Sequence, residues 1–187
     1  MFLQATNSLP KSKKYHFVAL EENYSSNNLG EIITNQYQNA KISLLKEVSN
    51  GPADTCLSAL DKIPLDEPLM ISACDHGIIF DQKKFEELLD DKKVDIIVWV
   101  NRGHPHAIRS PEEYGWVKTN GERIESVSVK SPLENPKKDS IIVGTFTFKT
   151  AQIFKKCAER LINKNKKVNN ENYVDSCINE AISIGYN

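Results

Sequence analysis

The sequence predicts an α/β fold, a Rossmann-like, mostly parallel sheet flanked by helices, with a small β-hairpin inserted. Three observations lead there. Short apolar runs alternate with stretches of helical spacing over the first hundred residues, in the order strand, helix, strand, helix, strand, helix, strand. The runs LMISA (69–73) and VDIIVWV (94–100) are nearly continuous in apolar residues, as strands covered on both faces are. Thr119-Asn120-Gly121 then joins two short β-type runs, the strongest hairpin signal in the chain.

Taken in order, residues 1–13 are polar, carry Pro10 and a basic cluster, and read as a flexible lead-in to a single domain spanning 14–187. YHFVAL (15–20) is a strand and residues 21–28 a polar loop. Leu29, Ile32, Ile33 and Tyr37 share one helical face, and KISLL (41–45) is the next strand. Asn50-Gly51-Pro52 breaks the chain before a helix running to about Lys62, Pro52 suiting its first turn. After the strand at 69–73 comes a helix over 82–89, then the strand at 94–100. The stretch NRGHPHAIRSPEE reads as a long polar loop, followed by strands at 114–118 and 123–130 and a proline-rich loop. A strand at 141–148, interrupted by Gly144, precedes a helix over 150–161 with Thr150 at its cap. The last helix covers about 170–183 and stops at Gly185.

A chain of 187 residues makes one ordinary domain. Its net charge of −1 gives no electrostatic case for nucleic acid or an anionic membrane as partner. No apolar run approaches the roughly 20 residues that span a bilayer, and the first residues lack the apolar core of a signal peptide. A cytoplasmic protein is the expectation. The four cysteines form no CxxC pair, so reduced thiols are expected rather than a disulfide framework or a zinc site.

The chemistry-bearing positions cluster at strand ends. Asp75 follows the strand at 69–73, where ligands of open α/β sheets bind; there it either holds a divalent metal or caps the next turn. Gly51 lets a ligand approach the backbone at a helix start, or simply begins that helix. Lys130 closes a strand and is either a phosphate-holding cation or a surface lysine. Glu171 and Asp175, four apart, share a face of the last helix and either ligate metal or favour the helix N-terminus. His104 and His106, two apart, have the wrong spacing for a metal pair on one helix face. No nucleophile elbow or Walker-type phosphate loop is present.

In their order these segments resemble the sugar-phosphate nucleotidyltransferases, the nucleotide-sugar pyrophosphorylases. EVSNGPADTCLSAL resembles the segment facing the nucleotide base, which implies a nucleotide-binding role for Gly51. EPLMISACDHG resembles the strand-plus-aspartate element that binds Mg2+, making Asp75 a nucleotide, metal and catalytic residue. YGWVKTNGERIESVSVK resembles the hairpin block that sets Gly115 against the sugar and Lys130, also catalytic, against its phosphate. IIVGTFTFKTAQIF places Gly144 near the sugar, and NNENYVDSCINEAISIGY implies Asp175 as second metal ligand with Glu171 beside the sugar.

The resemblance implies a nucleotide-diphospho-sugar transferase-like fold and the reaction of a nucleoside triphosphate with a sugar 1-phosphate, with Mg2+ as cofactor, in nucleotide-sugar and polysaccharide synthesis. The sequence departs from the pattern where the family has a glycine-rich, arginine-bearing loop and a PK motif, and Val129 stands in place of the glutamate of EKP. An N-terminally truncated version of the fold is therefore expected, with weak or no activity alone, and with a homodimer or a complementing N-terminal chain as partner. The alternatives are a non-catalytic module binding sugar phosphates or nucleotide sugars, and a nucleotide-sugar-dependent glycosyltransferase.

Overall fold

In the computed structural model, which describes residues 1–187, apolar runs and helical stretches do alternate. The strands are β1 (His16–Leu20), β2 (Lys41–Leu45), β3 (Leu69–Ser72), β4 (Ile96–Arg102), β5 (Gly115–Asn120), β6 (Arg123–Val129) and β7 (Ser140–Phe148). The helices are α1 (Phe2–Asn7), α2 (Glu21–Ser26), α3 (Leu29–Gln36), α4 (Pro52–Ser58), α5 (Gln82–Asp90), α6 (Pro105–Arg109), α7 (Ala151–Lys164) and α8 (Val174–Ser183).

The strands form two sheets. β1 and β2 pair parallel, with His16 opposite Lys41 and Leu20 opposite Leu45. In the five-stranded sheet β7 is central: β4 lies along one side, while β3 and β5 share the other. β3 and β4 both run antiparallel to β7 and so run parallel to each other. The hairpin β5–β6 adds an antiparallel flank, joined to β7 through Trp116 opposite Ile141.

β7 is central because its sequence allows it: IIVGTFTF is apolar or hydroxylic throughout, and most of it is buried. Phe146 and Phe148 pack with Phe154, Cys157 and Leu161 of α7 and with Val174, Cys177 and Ile178 of α8. Phe148 and Phe154 have ring centroids 5.3 Å apart. Burial of such side chains contributes about 1.5–3 kcal/mol each, so this layer carries the fold. On another face Phe80, Phe85 and Trp99 stack edge-on, and Trp99 Nε1 donates to Thr147 Oγ1 at 3.1 Å.

Four segments differ from their reading in the sequence. Residues 21–28 include α2, and the polar loop after β4 includes α6 and a tight turn at Pro111–Glu113. Both helices are only five or six residues long, too short for apolar periodicity to mark them. The last helix begins only at Val174. Asn169 and Asn170 turn left-handed, and a bridge between Val168 and Glu171 holds the preceding chain. Residues 1–13 contain α1, whose Ala5 is buried and whose Phe2 meets Phe17 of β1 at 6.0 Å.

Candidate functional site

The ends of β5 and β6 and the start of α8 meet at one point, and each is brought there by its own chemistry. α8 is fastened to β6 by Asn179, whose amide Nδ2 donates to the Val127 carbonyl at 2.7 Å while its Oδ1 accepts from the Val127 N–H at 2.9 Å. Asp175 lies one helical turn before Asn179, on the same face, and is thereby aimed at the start of β5. There it meets Gly115, where any β-carbon would collide with Asp175 Oδ2. Only glycine fits beneath that carboxyl.

Lys130 ends β6 in a left-handed conformation, φ 57°, uncommon for a lysine. That turn carries its ammonium over the Tyr173 ring, 5.4 Å from the centroid, where Nζ also donates to the Glu113 carbonyl. The backbone N–H of Lys130 donates to the Tyr114 carbonyl at 3.0 Å. Lys130 is thus anchored by backbone, by a carbonyl and by an aromatic face.

Burial pushes the Asp175 carboxyl up, to about 6, against the opposing pull of its own backbone N–H and of Lys130. Asp175 retains some accessible area but is deeply set among protein atoms. Tyr173 is pushed up to about 12, first by burial and then by the Glu171 carboxylate at its hydroxyl. The corner thus sets one fixed cation beside one carboxyl whose ionisation burial disfavours, and the cation suits an anionic ligand.

The other sequence-selected residues take the following places, and two readings are revised. Gly144 (φ 71°) stands against β3, where a β-carbon would come within 2.9 Å of Ala73 Cβ, and its carbonyl accepts from the Ala73 N–H at 2.8 Å. This crowding by protein already requires glycine. Gly51 (φ 132°) lies under Asn172, whose backbone N and O would be 2.6 Å from a β-carbon there. Asn172 N donates to the Asn50 carbonyl, its own carbonyl accepts from Ala53, and its Nδ2 donates to Asp54 Oδ2 at 2.8 Å. Glu171 is the first revision: it precedes α8, is exposed, and does not share a helical face with Asp175. The turn at Asn169 and Asn170 is the cause.

Asp75 is exposed on the loop after β3, with His76 Nδ1 2.8 Å from its Oδ1. The cap of the following helix is Asp81, whose Oδ1 accepts from the Lys84 N–H at 3.1 Å, which revises the capping alternative for Asp75. No hydrogen bond joins the Asp75 loop to Asp175, and no group of three or more His, Cys, Asp or Glu side chains is gathered to hold a metal. His106 meets the Tyr114 hydroxyl at 3.1 Å and Glu113 at 3.6 Å, beside the carbonyl that holds Lys130.

Tyr173, Asn172 and Asn179 escape the sequence reading. They sit in a segment that reads as ordinary helix, and nothing in spacing alone distinguishes an asparagine that clamps a strand from one facing water.

No protein-family model matches the chain, and no curated protein matches it in sequence. Solved structures do. A nucleoside-diphosphate-sugar pyrophosphorylase from Vibrio cholerae RC9 superposes with a TM-score of 0.73 at 16% identity, over 98% of this chain and 75% of that one. The chain has the nucleotide-sugar pyrophosphorylase fold. An inositol-1-phosphate CTP transferase from T. maritima gives 0.71 at 16% identity, covering 99% of this chain and 69% of that one. A UDP-glucose pyrophosphorylase solved with UDP-glucose gives 0.59 at 16% identity, over 95% and 71%. The pyrophosphorylase fold thus accommodates β1 through α8 nearly end to end, in agreement with the ordered motifs in the sequence. No helix is long and apolar enough to cross a membrane.

Proposed function

We propose that this chain is the sugar-phosphate-holding part of a nucleotidyltransferase of nucleotide-sugar synthesis. Its substrates on this reading are a sugar 1-phosphate and a nucleoside triphosphate. The observation that carries it is the convergence of Gly115, Lys130 and Asp175 at one corner of a pyrophosphorylase fold.

In that role Lys130 holds the phosphate of the sugar 1-phosphate, its ammonium pre-set by the Glu113 carbonyl and the Tyr173 ring. Fixing that phosphate orients its oxygen for in-line attack on the α-phosphorus of the triphosphate. A P–O bond forms there as the bond to pyrophosphate breaks, and positioning supplies most of the catalysis. On this reading the sugar lies along the backbone at Gly115 and Gly144, whose side-chain positions Asp175 and Ala73 already fill, Glu171 lies at its rim, and Gly51 begins the helix facing the nucleotide.

The oxygen donors of Asp75 and Asp175 suit Mg2+, which typically takes one or two carboxylates and completes its shell with water and substrate phosphates. When bound, the ion would neutralise charge on the phosphates. The sequence holds no arginine-bearing glycine-rich loop, and such charge-stabilising donors are each worth about 3–4 kcal/mol in the transition state. Turnover by this chain alone is therefore low.

A second reading, a binding module without turnover, is favoured by one observation: Asp75 stands exposed beside His76 with no hydrogen bond to the Asp175 corner. Calorimetry with glucose 1-phosphate, UDP-glucose and dTDP-glucose in Mg2+, run beside an assay for pyrophosphate released from UTP or dTTP in the presence of glucose 1-phosphate, separates the two. Saturable binding with slow release supports the transferase; binding with none supports the module. No binding to any of these ligands overturns both.

A further inference from the structure

The two histidines after β4 have no role in the proposed chemistry, yet one of them stands next to it. Both rings flank Tyr114, with centroids 5.9 Å (His104) and 6.0 Å (His106) from that of the tyrosine. They differ in what they reach. His104 caps the start of α6 and its Nδ1 is buried without a partner. His106 Nδ1 lies 3.1 Å from the Tyr114 hydroxyl and 3.6 Å from Glu113 Oε2. One nitrogen thus meets the side chains of two consecutive residues, and those two residues hold Lys130. The Glu113 carbonyl accepts from its ammonium, and the Tyr114 carbonyl accepts from its backbone N–H at 3.0 Å.

Those two carbonyls sit at the exit of the tight turn at Pro111–Glu113, and the turn is lightly closed. The Tyr114 N–H reaches the Pro111 carbonyl only at 3.4 Å. The entry is firmer: Nε1 of the fully buried Trp116 donates to that same carbonyl at 2.8 Å, and the Ser110 N–H donates to the His106 carbonyl at 2.8 Å. At the exit, His106 is the one side chain besides Lys130 that hydrogen-bonds to Glu113 or Tyr114. Burial, and then the Glu113 carboxylate, pushes the Tyr114 hydroxyl up, so it keeps its proton and can donate to a neutral Nδ1. The side chains of His106 and Glu113 are half exposed, so their contact adds little to folding stability.

We propose that His106 is a positioning residue for Lys130: its Nδ1 braces Glu113 and Tyr114, whose carbonyls set the ammonium where it holds the ligand's phosphate. The ligand rests on the sugar-phosphate reading; the brace itself does not. A lysine fixed beforehand loses less conformational freedom on binding, and the saving appears as affinity. His106 need touch neither substrate for this. Its nitrogen carries the role, and its ring only packs against Tyr114.

The test uses three variants of the full chain. His106→Phe keeps a ring without the nitrogen, His106→Asn puts an amide near the Nδ1 position, and Tyr114→Phe removes the hydroxyl at the other end of the contact. One readout needs no ligand: the carbon-13 NMR resonance of Lys130 Cε, assigned by its absence from Lys130→Gly and displaced by the ring current of Tyr173. The other is affinity for glucose 1-phosphate. His106→Phe and Tyr114→Phe should each return the resonance towards that of a free lysine and weaken binding about threefold or more, with unchanged thermal midpoints. Combining them should be no worse than either alone, and His106→Asn should match the parent. Should His106→Phe fail to fold, Tyr114→Phe carries the same comparison. The proposal is overturned if the resonance stays in place in the phenylalanine variants, if their effects add, or if His106→Asn is as weak as His106→Phe. A parent that binds glucose 1-phosphate no better than His106→Phe does also overturns it and leaves the sugar-phosphate reading standing. A parent that does not bind at all overturns that reading and the role together, and the resonance then decides the brace by itself.

Discussion

Gly115 lies directly beneath the carboxyl of Asp175, so closely that no other residue fits there unless that carboxyl moves aside. This contact makes the corner a single unit, and its consequences are measurable.

Gly115→Ala forces the Asp175 carboxyl out of its place against β5. Overpacking of this kind costs about 1–3 kcal/mol, read as a lowered urea midpoint with an unchanged slope. Because Lys130 closes the strand paired with β5, the same substitution should weaken glucose 1-phosphate binding at least fivefold by calorimetry. A variant of unchanged stability and affinity would show that the contact has no role.

Asp175 gives a pH dependence of defined sign. Its carboxyl titrates at about 6 in the folded chain, against an ordinary value of 3.8. Between those values the folded state binds more protons than the unfolded one, so stability falls as pH rises through that window. The penalty is absent below 3.8 and complete above 6. Asp175→Asn should remove it, leaving the variant more stable than the parent at pH 7.5, by on the order of 3 kcal/mol, and nearly equal at pH 4. Thermal midpoints of the two chains from pH 4 to 8 give the comparison.

The left-handed backbone of Lys130 separates charge from conformation. Lys130→Gly relaxes that backbone, worth roughly 1 kcal/mol of stability, while removing the ammonium that lies over Tyr173. The expected result is equal or higher thermal stability with a loss of phosphate-ligand affinity of about tenfold. A lysine held merely by packing would instead lose stability on substitution.

The core makes a plainer prediction. Phe154 is fully buried against Phe148 between β7 and α7, and Phe154→Ala should cost about 3–5 kcal/mol, seen in the denaturation midpoint.

Much of this molecule is legible in its sequence wherever one physical signal dominates. β3 and β4 announce themselves as apolar runs and the β5–β6 hairpin by Asn120-Gly121, and α5 occupies the expected helix over 82–89, although its cap, Asp81, is not read from the sequence. Legibility fails where the cause is tertiary. α2 and α6 bury little and so leave no periodic trace. Glu171 and Asp175 have helical spacing, yet the helix begins only at Val174 and Glu171 is held before it in a bridge to Val168. Gly51 and Gly144 both read as room for ligand, while each is already required by protein: Asn172 crowds one and Ala73 the other. Lys130 could be chosen from the hairpin's end, but neither its left-handed turn nor its perch over Tyr173 follows from local pattern.

The most direct measurement is a 31P NMR titration of glucose 1-phosphate with the full chain and with Lys130→Gly. The account predicts a saturable shift or broadening of the phosphate resonance with the parent chain, lost with the variant while its fold is retained. Identical behaviour of the two chains, or a resonance that neither perturbs, would contradict the claim that this corner holds a sugar phosphate.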